Sequence, residues 1–143
     1  MAPKQPKRLP RPGVDEYGRT GLHYAARDGN VARVEALLST GADPRAADDN
    51  GWMPLHFAVQ AFAPAACEAL LQAGSPVNAQ DVHGNTPLWR AVFDSRGRGE
   101  VIAVLRRHGA DAGIANTSGV SPADLAARIA NYDVKQLLGA SDV

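Results

Sequence analysis

The sequence predicts an all-α solenoid of stacked helix-turn-helix units with protruding loops or short hairpins. Two periodicities and one size argument carry that expectation. Gly18, Gly51 and Gly84 lie 33 residues apart and Gly119 follows at 35, while Gly41 and Gly74 are again 33 apart and Gly109 comes 35 later. A fixed period of this length marks a repeat architecture. Between the glycines of each period lie two short apolar stripes at helical spacing. Helices this short are not stable alone, and one pair cannot hide its apolar side, so each unit must lean on its neighbours.

Read in order, the chain begins with a basic, Pro-rich arm expected to be flexible over residues 1–13, followed by a repeat domain over residues 14–143. The units are 15–47, 48–80, 81–115 and a capping unit 116–143. The two extra residues of the third unit fall most simply in Asp94-Ser95-Arg96-Gly97-Arg98-Gly99. Each unit opens on a turn signal ending in Gly: Asp15-Glu16-Tyr17-Gly18, Asp48-Asp49-Asn50-Gly51, Asp81-Val82-His83-Gly84 and Asn116-Thr117-Ser118-Gly119. A helix start follows at once. Thr86-Pro87 and Ser121-Pro122 set a hydroxyl cap before a proline whose missing N–H costs nothing there, and Thr20-Gly21 and Met53-Pro54 are weaker versions.

The first helix of each unit is small-faced, with Leu22, Ala25 and Ala26 echoed by Leu55, Ala58 and Val59 and by Leu88, Ala91 and Val92. The second carries Val31, Val34, Leu37 and Leu38, echoed by Cys67, Leu70 and Leu71 and by Val101, Ile102, Val104 and Leu105. Gly41, Gly74 and Gly109 are expected to end it.

Composition narrows the function classes. The 143 residues hold 15 Lys plus Arg and 15 Asp plus Glu, a net charge of zero that gives no global pull on nucleic acid or membrane. Apolar residues at 45% against 21% charged argue for a buried core. The apolar run from Ala61 to Cys67 is interrupted by Pro64 and is far too short to cross a bilayer. The arm carries Lys4, Lys7, Arg8 and Arg11 among prolines with no apolar segment behind them, which is not a secretory signal. Cys67 is the single cysteine, and it fits a reducing compartment. The expected location is cytoplasmic.

A 33-residue unit reading turn, Thr-Pro-Leu-His-x-Ala, helix, Gly-Ala-Asp resembles the ankyrin repeat. The resemblance rests on Thr20-Gly21-Leu22-His23-Tyr24-Ala25-Ala26, Met53-Pro54-Leu55-His56-Phe57-Ala58 and Thr86-Pro87-Leu88-Trp89-Arg90-Ala91, and it spans about Asp15 to Leu138. Ser121-Pro122-Ala123-Asp124-Leu125-Ala126-Ala127 looks like the family's C-terminal cap, with Asp where the motif has His and polar Lys135 and Gln136 on its second helix. Met53 lacks a capping hydroxyl, and Phe62 and Ala63-Pro64 replace the usual Gly-His-Leu, so that junction should be irregular. Trp89 stands at a His position.

Several residues invite a chemical reading. Stacked helices lie about 8–10 Å apart, too far for His23 and His56 to share an ion readily, so both are expected in the turn hydrogen-bond network. Cys67 falls on the core stripe and reads as a small buried hydrophobe rather than a nucleophile. His108 precedes a helix-ending Gly and suits a capping role. Arg96-Gly97-Arg98-Gly99 could hold a phosphate or acidic group, although a solvated loop is commoner. No phosphate-cradling loop, zinc motif or nucleophile elbow is present. The expectation is no catalytic residues, no metal and no cofactor.

What the resemblance implies is a concave face built from turn tips and first helices, whose variable side chains meet a partner. Those positions are Tyr17, Arg19, Tyr24, Arg27, Asp49, Asn50, Trp52, Phe57, Gln60, His83, Asn85, Arg90, Phe93 and Asp94. Trp52 leads, as an aromatic expected to be exposed on a rigid frame, and hot spots favour Trp, Tyr and Arg. Its competing role is to pack flat across the adjacent turn. The implied function is a non-catalytic protein-binding module, monomeric, engaging one cognate protein and inhibiting or sequestering it. The Ala- and Arg-rich composition looks bacterial, a setting that includes toxin immunity proteins. The alternative is a scaffold or adaptor of a nucleic-acid-associated or other cytosolic complex, with the basic arm as a second contact.

Overall fold

A computed structural model describes residues 11–129 and 134–138, and residues 1–10 of the basic arm lie outside the described residues. The helices are α1 (Gly21–Arg27), α2 (Val31–Ser39), α3 (Pro54–Gln60), α4 (Pro64–Gln72), α5 (Pro87–Phe93), α6 (Glu100–Arg107), α7 (Pro122–Arg128) and α8 (Val134–Leu137). They form two layers. The first helices stack as α1 on α3, α3 on α5 and α5 on α7, and the second helices as α2 on α4 and α4 on α6.

The core follows the predicted stripes. Leu22, Leu55 and Leu88 are at most 1% exposed, as are Val34, Cys67, Leu70, Val101, Ile102 and Leu105, so one apolar seam runs between the layers through all the units. Each such leucine or isoleucine removed from water contributes about 1.5–3 kcal/mol, which no isolated helix pair could collect.

The turns explain why each unit opens on Asp or Asn. Asp48 Oδ1 accepts the backbone N–H groups of Asn50 and Trp52 at 2.9 and 2.8 Å, and Asp81 Oδ1 does the same for His83 and Asn85 at 2.9 and 3.0 Å. Asp15 and Asn116 repeat the pattern. Successive turns are then stitched together: Asp49 N–H donates to the Tyr17 carbonyl at 2.9 Å, Val82 to Asn50 at 3.1 Å and Thr117 to His83 at 3.0 Å. Among the described residues these segments are turns, with no strand.

The motif histidines act within this lattice. His23 Nδ1 accepts the Thr20 N–H at 3.0 Å, which leaves Nε2–H to donate to the Trp52 carbonyl of the next unit, also at 3.0 Å. His56 Nδ1 accepts the Met53 N–H at 3.0 Å and so closes a helix start that has no capping hydroxyl. In the last unit Asp124 substitutes for the histidine, its Oδ2 accepting the Ser121 N–H at 3.0 Å. At the third unit the Trp89 indole N–H is buried with no hydrogen-bond partner among the described residues.

The irregular positions meet one another. Phe62 holds a left-handed φ of 52°, and Arg96 in the insertion one of 48°. The Arg98 guanidinium sits 3.7 Å from the Phe62 ring centroid, and its Nε–H donates to the Ser95 carbonyl at 3.2 Å. The insertion therefore docks on the aberrant junction of the preceding unit, and Arg98 is committed there rather than offered to an anion. In the final unit the described part of the second helix is the four residues of α8, whose Leu137 lies where any side chain at Gly99 would collide with it.

Candidate functional site

Turns of the first three units together with α3 and α5 surround a cavity of about 320 Å³. Seven of the expected contact residues line it: Arg19, Asn50, Trp52, Phe57, Gln60, His83 and Arg90. Asp48 and Asp81 complete the wall. Sequence reasoning assigned those two aspartates only to turns, because each spends Oδ1 on backbone N–H groups. Their Oδ2 atoms are what reach the cavity side chains, and the signal was the recurrence of Asp at one repeat position ahead of variable neighbours.

Aromatic rings and guanidinium groups alternate around this wall. Trp52 stacks on His56 with centroids 5.6 Å apart and meets the edge of Phe57 at 4.9 Å. The Arg19 guanidinium lies 5.0 Å from both the Tyr17 and the Phe57 rings, and its Nε–H donates to Asp48 Oδ2 at 3.2 Å. Arg90 covers the other side, 5.3 Å from the Trp52 ring, 5.8 Å from Trp89 and 5.5 Å from Phe93. Guanidinium over an aromatic face is an attraction of about 0.5–2 kcal/mol that also fixes the side chain's direction.

Trp52 is not the exposed residue expected. It is half-buried, and its indole N–H donates to Asp81 Oδ2 at 3.0 Å. It bridges two units while lining the cavity, because the Asp at the next turn supplies the acceptor that a buried indole needs. Phe57, 5% exposed, and Asn85, 7% exposed, are also buried rather than offered on the surface. Asn85 Oδ1 is engaged with Asn116 Nδ2 at 2.9 Å, one turn bracing the next.

The remaining expected contacts lie off the cavity. Tyr24 donates its hydroxyl to Asp15 Oδ2, and Arg27 lies over the Tyr24 ring at 4.6 Å. Burial pushes the Asp15 carboxyl upward, yet the hydrogen bonds from Tyr24, Arg19 and Tyr17 outweigh it and hold the group below its ordinary value. Asp49 receives Arg11 on both oxygens at 3.1 Å, so the last basic residue of the arm is tied down across the first two turns. Phe93, 56% exposed, stacks on Trp89 with centroids 5.4 Å apart. Asp94 pairs with Arg90 at 3.8 Å.

The titratable groups inside the units are set for structure. Burial lowers the affinity of His23 and His56 for a proton, so both rings are held neutral. Burial pushes the Cys67 thiol up to about 12, which keeps it protonated and inert. On the outer layer His108 Nε2 contacts Glu68 Oε2 at 3.0 Å, and that hydrogen bond holds the Glu68 carboxyl low. Among the described residues no three His, Cys, Asp or Glu side chains are grouped to hold a metal ion.

A family model for three copies of the ankyrin repeat matches residues 7–81, and one for a single ankyrin repeat matches residues 83–117. The chain belongs to the ankyrin-repeat family. Ankyrin repeats are protein-interaction modules and generally non-catalytic. The two matches divide between the second and third units, where the 33-residue period also places a boundary. A segment of 37 residues is 60% identical to Regulatory protein SWI6 of Kluyveromyces lactis. That similarity covers 26% of this chain and 5% of the yeast protein, so it reaches one repeat's length and no further. No helix of the described residues is long and apolar enough to cross a membrane.

Proposed function

We propose that this ankyrin-repeat chain binds a single cognate protein on the face carrying the cavity and thereby inhibits or sequesters it, as an immunity protein masks a toxin, without catalysis of its own. The observation that supports this reading is the convergence of side chains from three successive units on one cavity of about 320 Å³. Rings and guanidinium groups dominate its wall, and those side chains contribute most in measured interfaces. The frame under them is rigid, so little conformational entropy is lost on binding. Occupying a partner's surface suffices for inhibition. We further propose that the chain acts as a monomer in the cytoplasm, where one buried cysteine is at home.

The test is capture of the product of the neighbouring gene, followed by titration of variants. Gln60→Arg and His83→Glu, both at exposed cavity positions, are expected to weaken the complex at least about tenfold, which is about 1.4 kcal/mol. Glu35→Arg on α2, away from the cavity, is expected to leave affinity unchanged. No complex at micromolar concentration, or equal losses from all three variants, overturns the reading.

A further inference from the structure

Among the described residues, the charged groups on the cavity wall other than Arg90 all take part in side-chain hydrogen bonds. Asp48 is matched by Arg19, and Asp81 holds three N–H donors, two from its own turn and one from Trp52. Arg90 differs. Its Nε is buried with no hydrogen-bond partner among the described residues, and its Nη1 stands 3.8 Å from Asp94 Oδ2, too long for a hydrogen bond. That Asp94 oxygen is itself buried without a hydrogen bond. Three aromatic rings hold the guanidinium in place without accepting a single one of its protons.

A planar guanidinium fixed in orientation by three rings, with no hydrogen bond among the described residues and only the long ion pair to Asp94, matches one complement in particular. Carboxylates accept such forks on two parallel bonds, and rings that cover the guanidinium faces leave only its edge for that approach. Gln60, Asn50 and His83 add amides and an imidazole to the wall, while its two carboxylates are already engaged, Asp48 by Arg19 and Asp81 by Trp52 and its own turn. At about 320 Å³ the cavity has room for a Glu or Asp side chain together with neighbouring atoms of its chain.

We propose that Arg90 is the receptor for a carboxylate side chain of the partner protein, an Asp or Glu that enters the cavity beside Trp52. This rests on the cavity being the binding face, and its test is built to fail separately. The probe is N-acetyl-glutamate N-methylamide, titrated into the labelled full chain at constant ionic strength while the Trp52 indole and Arg90 Nε–H resonances are followed. Saturable shifts at both are expected below about 50 mM, with the glutamine analogue at least about tenfold weaker. Arg90→Gln is expected to abolish the saturable shift of the Trp52 indole in a chain whose spectrum away from the cavity is unchanged. Asp94→Asn, which removes the carboxylate paired with Arg90 among the described residues, is expected to tighten the probe a few-fold and serves where Arg90→Gln fails to fold.

Shifts that never saturate, equal shifts with the glutamine analogue, or tighter binding of inorganic phosphate than of the glutamate probe overturn the carboxylate assignment. If those results appear while Gln60→Arg still blocks the captured partner, the binding face stands and only the role of Arg90 falls. If Gln60→Arg has no effect on the partner, the face itself is misassigned.

Discussion

At the scale of single residues, the repeat motif is built from hydrogen bonds that cross between units, and these set measurable costs. Trp52→Phe keeps the ring contacts with His56 and Phe57 but leaves Asp81 Oδ2 without its indole donor. A buried acceptor stripped of its partner costs about 1–3 kcal/mol, which urea unfolding would read as a lowered midpoint at unchanged slope. The histidines make stability depend on pH with a definite sign. Both rings have folded-state pKa values below the ordinary 6.5, so above that pH neither state is protonated and the term is silent. Below it the unfolded chain takes up protons that the folded chain refuses, and stability falls as pH drops through the folded values. The lowered carboxyls Asp15 and Glu68 start from 3.8 and 4.5, so they act in a separate, more acidic window. The urea midpoint should therefore be lower at pH 5.5 than at pH 7.5, and a flat profile across that interval would contradict neutral, buried rings. His23 and His56 were readable in the sequence because their partners lie three residues away on the same turn. Trp52 was not, because its acceptor is 29 residues distant at a position that looks like ordinary turn chemistry.

At the scale of elements, the turns are where sequence and structure agree most closely, and one comparison isolates what stacking adds. Gly84 and Gly119 hold nearly the same left-handed φ, 76° and 77°. A Cβ at Gly84 would meet the Thr117 backbone nitrogen of the next turn at 2.9 Å, whereas at Gly119 nothing lies within 4 Å. Gly119→Ala should then cost only the backbone term of about 1–2 kcal/mol, while Gly84→Ala should add an overpacking cost of about 1–3 kcal/mol because backbone cannot step aside. Equal losses in thermal unfolding would mean that the turns are not in stacking contact. Helix starts, glycine stops and the apolar stripes were all legible because they are local. What was not legible is how the two aberrations combine: Phe62 and Arg98 belong to different units, and only their contact explains why a lengthened loop follows an irregular junction.

At the scale of the whole molecule, the strongest helix contacts among the described residues run within a unit or between adjacent units, so cooperativity must be transmitted link by link. The binding face depends on that transmission, because its wall draws Arg19 from the first unit, Trp52 from the second and Arg90 from the third. If any link opened alone, the cavity would lose part of its wall while the rest of the chain stayed folded. The links between the second and third units are of three independent kinds: the Trp52 to Asp81 bond, the backbone stitch from Val82 to Asn50, and the buried seam through Leu55, Leu70, Leu88 and Ile102. Breaking all of them to free one unit would expose apolar surface worth several kcal/mol with only one unit's entropy gained in return. Unfolding should therefore be shared. The two tryptophans sit in neighbouring units and allow this to be measured, with Trp89→Phe leaving Trp52 to report on the second unit and a chain observed by circular dichroism reporting on all of them. Coincident urea midpoints by fluorescence and circular dichroism are expected, and Leu70→Ala should move both together, by about 2–5 kcal/mol. Separate transitions, with the tryptophan signal lost at a different denaturant concentration from the helical signal, would show a cavity whose wall can come apart without global unfolding, and the rigid frame on which binding by preformed side chains depends would be lost with it.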